Sequence, residues 1–160
     1  MNKDKELYKD HTFYFAYGMN TNHNEMAGRC PESIFVGIAE LSGYKLSFQH
    51  VADYTSQEDS ILIGALWLIS NKDEKALDKL EGYPNFYNKH IRTVRFMGSK
   101  LNAMIYQMVE EDNISPPSSY YESCLREGYV ESGISISQLI EALNYAENFS
   151  NKILGGKNND

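Results

Sequence analysis

The stretch ILIGALWLISNKDEKALDKLEG, residues 61–82, decides how the chain is read. Its first nine residues are uncharged and apolar, the length and composition of a buried strand. A membrane-crossing helix needs about twenty such residues, so this run does not make one. Then the period changes. Asn71 followed by Glu74 reads as a helix start, Ala76, Leu77 and Leu80 form an apolar stripe, and Gly82 is the stop.

Working outward, residues 87–96 and 101–109 read as two strands joined across Gly98-Ser99-Lys100. Upstream, HTFYFAY (11–17) is an aromatic strand ending at Gly18. Asn20 or Thr21 is the expected cap of a short helix through Met26 and Arg29, ended by Pro31. Residues 33–50 read as a strand bent at Ser42-Gly43 into two halves, and the polar residues 50–60 as a loop. Pro116-Pro117-Ser118 announces a helix through about Glu131, interrupted near Gly128. Ser135 or Ser137 opens a last helix with Leu139, Ile140, Leu143 and Ala146 on one face. Strands follow one another, with a helix inserted mid-chain and others gathered at the end. This is an α+β chain with strands enough to curl into a small barrel. Residues 1–150 are expected to form a single domain and residues 151–160 a flexible tail.

Composition narrows the function. The 160 residues suit one domain and one core. Fifteen Lys and Arg against 22 Asp and Glu give a net charge of −7, the wrong sign for gripping nucleic acid or an anionic membrane. The first ten residues, MNKDKELYKD, hold no apolar signal core. Cys30 and Cys124 form no CxxC pair and are expected to be reduced thiols in a cytoplasmic protein. The histidines, at 11, 23, 50 and 90, lack the three-to-four spacing of metal ligands, and no metal site is expected. Tyrosine stands out with 12 copies, a side chain that fills a core while offering a phenol tip to a buried polar ligand.

Three segments can carry chemistry. Tyr17-Gly18-Met19-Asn20 is a glycine-containing bend after a strand, where backbone N–H groups can converge on an anion or oxyanion. Glu81 sits at the end of the middle helix, facing the negative end of the helix dipole, which opposes its ionisation. The prolines before Ser118 fix a helix entry and hold Tyr120 or Tyr121 in a set direction. Each segment alone has an ordinary structural explanation: a strand-to-helix turn, a solvated surface glutamate, core tyrosines.

Taken in order, these segments resemble the gamma-glutamylcyclotransferase-like family over residues 12–136. FYFAYGMN (13–20) is similar to the family's opening YFAYGSN, and LDKLEG (77–82) to its LDxxEG segment. AELSGYKLSF (39–48), GALWLI (64–69) and PPSSYYESCLREGYVESGIS (116–135) are similar to further family segments. Met19 stands where the family usually has Ser. The resemblance implies a curled mixed sheet or barrel with flanking helices and no cofactor. It also implies cyclisation of a gamma-glutamyl amide to 5-oxoproline with release of an amine or amino acid. By the same match Glu81 is the catalytic acid and base. Tyr14, Phe15, Ala16, Tyr17, Gly18 and Met19 line the glutamyl pocket and Tyr121 adds a phenol contact, while backbone N–H groups around Gly18, Met19 and Asn20 are the expected donors to the substrate carboxylate and the oxyanion. Tyr87 and Tyr106 match further tyrosines near the site. Residues 50–60 are expected to border the amine half of the substrate. In this reaction the substrate's own α-amine is the nucleophile, which fits a sequence without a catalytic triad. Three alternatives stand beside it: a non-catalytic small-molecule-binding module on the same fold, an interaction protein using exposed tyrosines, and, against the net charge, a nucleic-acid barrel.

Overall fold

The computed structural model describes residues 8–110 and 113–156. Strand β1 (Thr12–Ala16) leads through a single 3-10 turn (Met19–Thr21) into α1 (His23–Arg29). Two long strands follow, β2 (Ile34–Gln49) and β3 (Val51–Ile69), then α2 (Asn71–Leu80). The hairpin β4 (Tyr87–Phe96) and β5 (Ser99–Met108) precedes α3 (Ser119–Ser132) and α4 (Ile136–Gly156). The five strands close into a barrel in the order β1-β3-β2-β4-β5. Every pairing is antiparallel except the closing one, where β1 meets β5 in parallel with Tyr14 opposite Met104. The fold is therefore a mixed α+β barrel with flanking helices.

Alternation along the strands divides the core in two. Phe15 and Tyr17, with Leu62, Leu66 and Ile105, pack against Leu125 and Tyr129 of α3 and Leu139 and Leu143 of α4. Tyr14 and Ala16, with Trp67, Met104 and Tyr106, pack against Met26 of α1 and Leu77 of α2. Both sides of β1 are thus buried, as its unbroken aromatic run requires.

Several local expectations change. Residues 50–60 are not a loop: 51–56 pair with 44–49, and only His50, at φ 64°, turns the chain. The register then passes from Tyr44 opposite Ser56 to Ser42 opposite Ile61, so residues 57–60 are the extra residues of a bulge. Polar composition concealed the strand because residues 55–59 are solvent-exposed, whereas Ala52, Asp53 and Tyr54 are buried. The bend expected at Ser42-Gly43 is the other side of this bulge, with Gly43 at φ 85°. Neither Asn20 nor Thr21 caps α1; Asn22 does, its side chain accepting from the Glu25 N–H. Ser70 caps α2 by accepting from the Asp73 N–H. Ile140 is 40 % exposed, and Ala142 joins the buried face of α4 instead. That helix continues through residues 151–156, which were expected to belong to a flexible tail; residues 157–160 lie outside the described residues.

Helix α3 also runs unbroken through Gly128. The glycine serves a contact rather than an interruption. A Cβ there would lie 2.5 Å from Thr21 Oγ1 and 2.6 Å from the Asn22 nitrogen. Ser132 Oγ donates to the Thr21 carbonyl at 2.8 Å and Asn22 Nδ2 to the Cys124 carbonyl at 3.0 Å, so α3 lies directly on the chain that follows β1.

In an exposed helix Gly→Ala stabilises by about 1 kcal/mol. At Gly128 the sign is expected to reverse, because overpacking against backbone costs about 1–3 kcal/mol. Urea unfolding of Gly128→Ala checks it: the midpoint should fall.

Candidate functional site

Where β1 ends, the chain turns sharply at Gly18, whose φ of −117° and ψ of −130° place it outside the regular strand and helix regions. Close approach, rather than a positive φ, demands glycine here. A Cβ would lie 2.7 Å from the Ala52 Cβ and 3.2 Å from the Tyr121 hydroxyl. The bend is pressed between the start of β3 and the first turn of α3. Beside it opens a cavity of about 320 Å³.

Glu81 reaches this cavity from the C-terminal end of α2, where its N–H still donates to the Leu77 carbonyl and Gly82 turns the chain at φ 62°. Burial pushes the Glu81 carboxyl up to about 6, against the opposing pull of the Arg29 guanidinium. Its charge in turn disfavours ionisation of Tyr14, Tyr17, Tyr87, Tyr106 and Tyr121. In each of them burial is the largest cause of a raised pKa, with Tyr121 brought up to about 12. Glu81 therefore stands beside a wall of neutral phenols, with Asp53 and Asp78 acting on Tyr17, Tyr87 and Tyr106 from outside the cavity lining.

Those phenols fall into two groups. Tyr17 donates to the Tyr106 carbonyl at 2.7 Å, Tyr87 to the Ala52 carbonyl at 2.7 Å, and Tyr106 to Asp78 Oδ1 at 2.6 Å. Their protons are committed to the protein. Tyr14 instead accepts from Asn20 Nδ2 at 3.0 Å, and Tyr121 accepts from the Ala52 N–H at 3.0 Å. A phenol oxygen that accepts keeps its own hydrogen for another partner. Among the described residues neither Tyr14 nor Tyr121 donates to a protein acceptor, so both can donate to a ligand.

The polarity at Tyr14 is imposed from further out. Arg29 Nη1 donates to Asn20 Oδ1 at 2.7 Å, which fixes the amide so that its nitrogen faces Tyr14. Trp67 Nε1 holds the Asn20 carbonyl at 3.0 Å. On the other side, Asp78 is steadied by Lys89, whose Nζ lies 2.9 Å from both Asp78 Oδ1 and Glu74 Oε1.

Of the residues singled out in the sequence, Tyr14, Tyr17, Gly18, Met19, Asn20, Glu81, Tyr87, Tyr106 and Tyr121 line this one cavity. Phe15 and Ala16 do not. Phe15 is fully buried with its ring against Gly64, and Ala16 packs in the cluster beneath α1 and α2. Arg29, Leu80 and Phe86 also line the cavity and were not singled out as site residues, and Val51 and Ala52 join them from the 50–60 segment expected to border the amine half. Arg29 follows Glu25 by four residues and pairs with it at 3.3 Å, so in sequence it passes for one half of a surface ion pair. Among the described residues no group of three or more His, Cys, Asp or Glu is placed to hold a metal ion. Nor is any of their helices long and apolar enough to cross a membrane.

A barrel closed in this order, with a half-buried glutamate and a glycine bend lining one cavity, defines a class as well as a cavity. The family model described as gamma-glutamyl cyclotransferase, AIG2-like, matches residues 14–123, and the chain belongs to that family. Gamma-glutamylcyclotransferase from Bos taurus is 25% identical over 138 residues, covering 77% of this chain and 72% of the relative. The Homo sapiens protein of the same name matches with the same identity and coverage. A solved structure described as gamma-glutamyl cyclotransferase superposes with a TM-score of 0.72 at 23% identity, covering 88% of this chain and 86% of its own. The family supports a gamma-glutamyl cyclotransferase-type function on small gamma-glutamyl substrates.

The raised carboxyl has a consequence for stability. Between the ordinary 4.5 and about 6 the folded chain holds the Glu81 proton more tightly than the unfolded chain. Stability from this group is therefore complete below 4.5 and is lost as pH rises through about 6. Glu81→Gln, which cannot ionise, is expected to be more stable than the parent by about 1–2 kcal/mol near neutral pH. That gain should vanish near pH 4. Urea denaturation of both proteins at the two pH values measures it.

Proposed function

We propose that this protein cyclises a gamma-glutamyl amide to 5-oxoproline and releases the amine, with Glu81 as the acid and base. One observation carries the proposal: a single carboxyl group, desolvated and raised to about 6, shares a cavity with the Gly18 bend and two phenols able to donate. The substrate's α-nitrogen attacks its own γ-carbonyl carbon. A C–N bond forms in the five-membered ring, and the C–N bond to the amine breaks. Glu81 takes the proton from the α-nitrogen and returns it to the departing nitrogen, so the carboxylate is regenerated. No protein nucleophile is needed. The cavity's task is to hold the folded conformer, in which the proximity advantage of an intramolecular reaction resides.

The substrate's α-carboxylate and the oxyanion of the tetrahedral intermediate both need donors. Tyr121 and Tyr14 offer hydroxyls, the bend offers backbone N–H groups, and among the described residues Arg29 is the one cation that lines the cavity. Met19 brings no hydroxyl, so its position contributes through backbone and apolar bulk.

Assay of 5-oxoproline release from a set of gamma-glutamyl amides is the direct test. Glu81→Gln should lower kcat by about 10²-fold or more, the share of a general acid–base group. Near-parental turnover by this variant would refute the mechanism. In the parent, kcat/KM should rise as pH passes about 6, because the free enzyme must present the carboxylate. Tyr121→Phe should raise KM several-fold, the effect of losing about 1 kcal/mol of hydrogen bonding. Calorimetric binding of these amides without 5-oxoproline formation would instead make the protein a binding module.

A further inference from the structure

Arg29 ends α1 and lines the cavity, a place where an arginine invites reading as a direct grip on an anionic ligand. Its contacts point elsewhere. Nη1 donates to Asn20 Oδ1 at 2.7 Å, and Nη2 lies 3.3 Å from Glu25 Oε2. Both terminal nitrogens therefore face protein acceptors. Glu25 is one turn earlier on the same helix, and its own N–H is held by the Asn22 cap, so the guanidinium is anchored within α1 and aimed at the bend. A guanidinium carries donors only, so it admits one orientation of the Asn20 amide, with Oδ1 toward Arg29. The amide nitrogen then faces Tyr14, whose hydroxyl oxygen lies 3.0 Å away. That nitrogen can only donate, so Tyr14 must accept. Asn20 and Tyr14 are both buried, and the Trp67 Nε1 bond to the Asn20 carbonyl steadies the backbone from which the amide projects.

We propose that Arg29 is a positioning residue: it fixes the Asn20 amide, and the amide keeps the Tyr14 hydroxyl a donor toward the α-carboxylate of a bound glutamyl group. The identity of that carboxylate rests on the cyclisation proposed above. Arg29 then acts through two protein groups and touches no reacting atom. A hydroxyl committed in this way is oriented before the ligand arrives, so no reorganisation accompanies binding. The Arg29 charge also pulls the Glu81 carboxyl downward, against burial. That second effect does not pass through Tyr14, which lets an experiment separate the two.

The experiment is a pair of double-mutant cycles. Arg29→Met and Asn20→Asp are each made in the parent and in Tyr14→Phe, and KM and kcat for 5-oxoproline release from gamma-glutamylalanine are measured at a pH well above 6, where Glu81 is ionised. Arg29→Met frees the amide to turn. Asn20→Asp leaves Arg29 its partner but sets an acceptor against Tyr14, which reverses the bond. Each single variant, Tyr14→Phe included, should raise KM several-fold with kcat unchanged, the mark of a lost ground-state hydrogen bond. In the Tyr14→Phe background the rises from Arg29→Met and Asn20→Asp should be several-fold smaller, because the hydroxyl they act through is gone. Equal rises in the two backgrounds would make Arg29 a direct ligand contact or a distant charge, and overturn the proposal. A fall in kcat with KM unmoved would overturn the assignment to the carboxylate. If Asn20→Asp does not fold, the Arg29→Met cycle decides, and the reverse holds as well. Should the parent release no 5-oxoproline, the cyclisation falls while the same cycles, read by calorimetric Kd for gamma-glutamylalanine, still decide the positioning role; absence of binding overturns both.

Discussion

The missing side chain at Gly18 is the constraint on which the site depends. Strand β3, helix α3 and the bend meet there at distances that leave no room for a methyl group. The Tyr121 hydroxyl comes close enough to accept from Ala52 only because nothing projects from Gly18 between them. Gly128 repeats the device two turns further along α3, against Thr21 and Asn22. Two glycines thus let one helix close on one bend. Two further hydrogen bonds secure the same segment: Asn22 Nδ2 donates to the backbone carbonyl of Cys124 and Trp67 Nε1 to that of Asn20. A bend held from so many sides can present its backbone in a fixed direction, which is the requirement of electrostatic preorganisation.

Against this rigidity stands a deliberate electrostatic misfit. A carboxylate at a helix C-terminus meets the wrong end of the dipole, and burial adds to the penalty. Arg29 offsets only part of it. A protein selected for stability alone would place Lys or Asn at this position. Burial is what raises the carboxyl toward neutrality, where a group can both take and return a proton. Stability and the proposed proton transfer therefore pull in opposite directions at Glu81.

How much of this was legible in the sequence varies by element, for physical reasons. The 61–82 stretch could be read because strand and helix carry different periods and the boundary between them is sharp. The β4–β5 hairpin could be read as well, although its turn is Met97-Gly98, with φ of 47° and 78°, one residue earlier than expected. Residues 51–56 could not, because a strand that is exposed from Thr55 onward and holds a buried Asp53 has the composition of a loop. At the site, the bend, the acid and Tyr121 fall in short segments with recognisable residue types. Arg29 does not. Its importance lies in the direction it gives the Asn20 amide, and a hydrogen-bond direction leaves no trace in spacing. Phe15 and Ala16 were included by the match of the 13–20 segment to the family, yet both pack in the core and leave the cavity to their neighbours.

The division among the tyrosines shows why composition alone is a poor guide to chemistry. Five phenols line one cavity and every one is held neutral by burial, so by residue type they are equivalent. Their hydrogen bonds make them unequal. Tyr17, Tyr87 and Tyr106 give their protons to protein acceptors and present oxygen lone pairs or ring faces to the cavity. Tyr14 and Tyr121 receive protons from protein nitrogens and keep their own. An anionic ligand group is drawn to the second pair and repelled by lone pairs of the first. The orientation of a gamma-glutamyl carboxylate would then follow from which way five O–H bonds point. Those directions are set by Ala52, Asn20, Asp78 and the Tyr106 carbonyl, groups held in place by the barrel, the bend and the Lys89 pair.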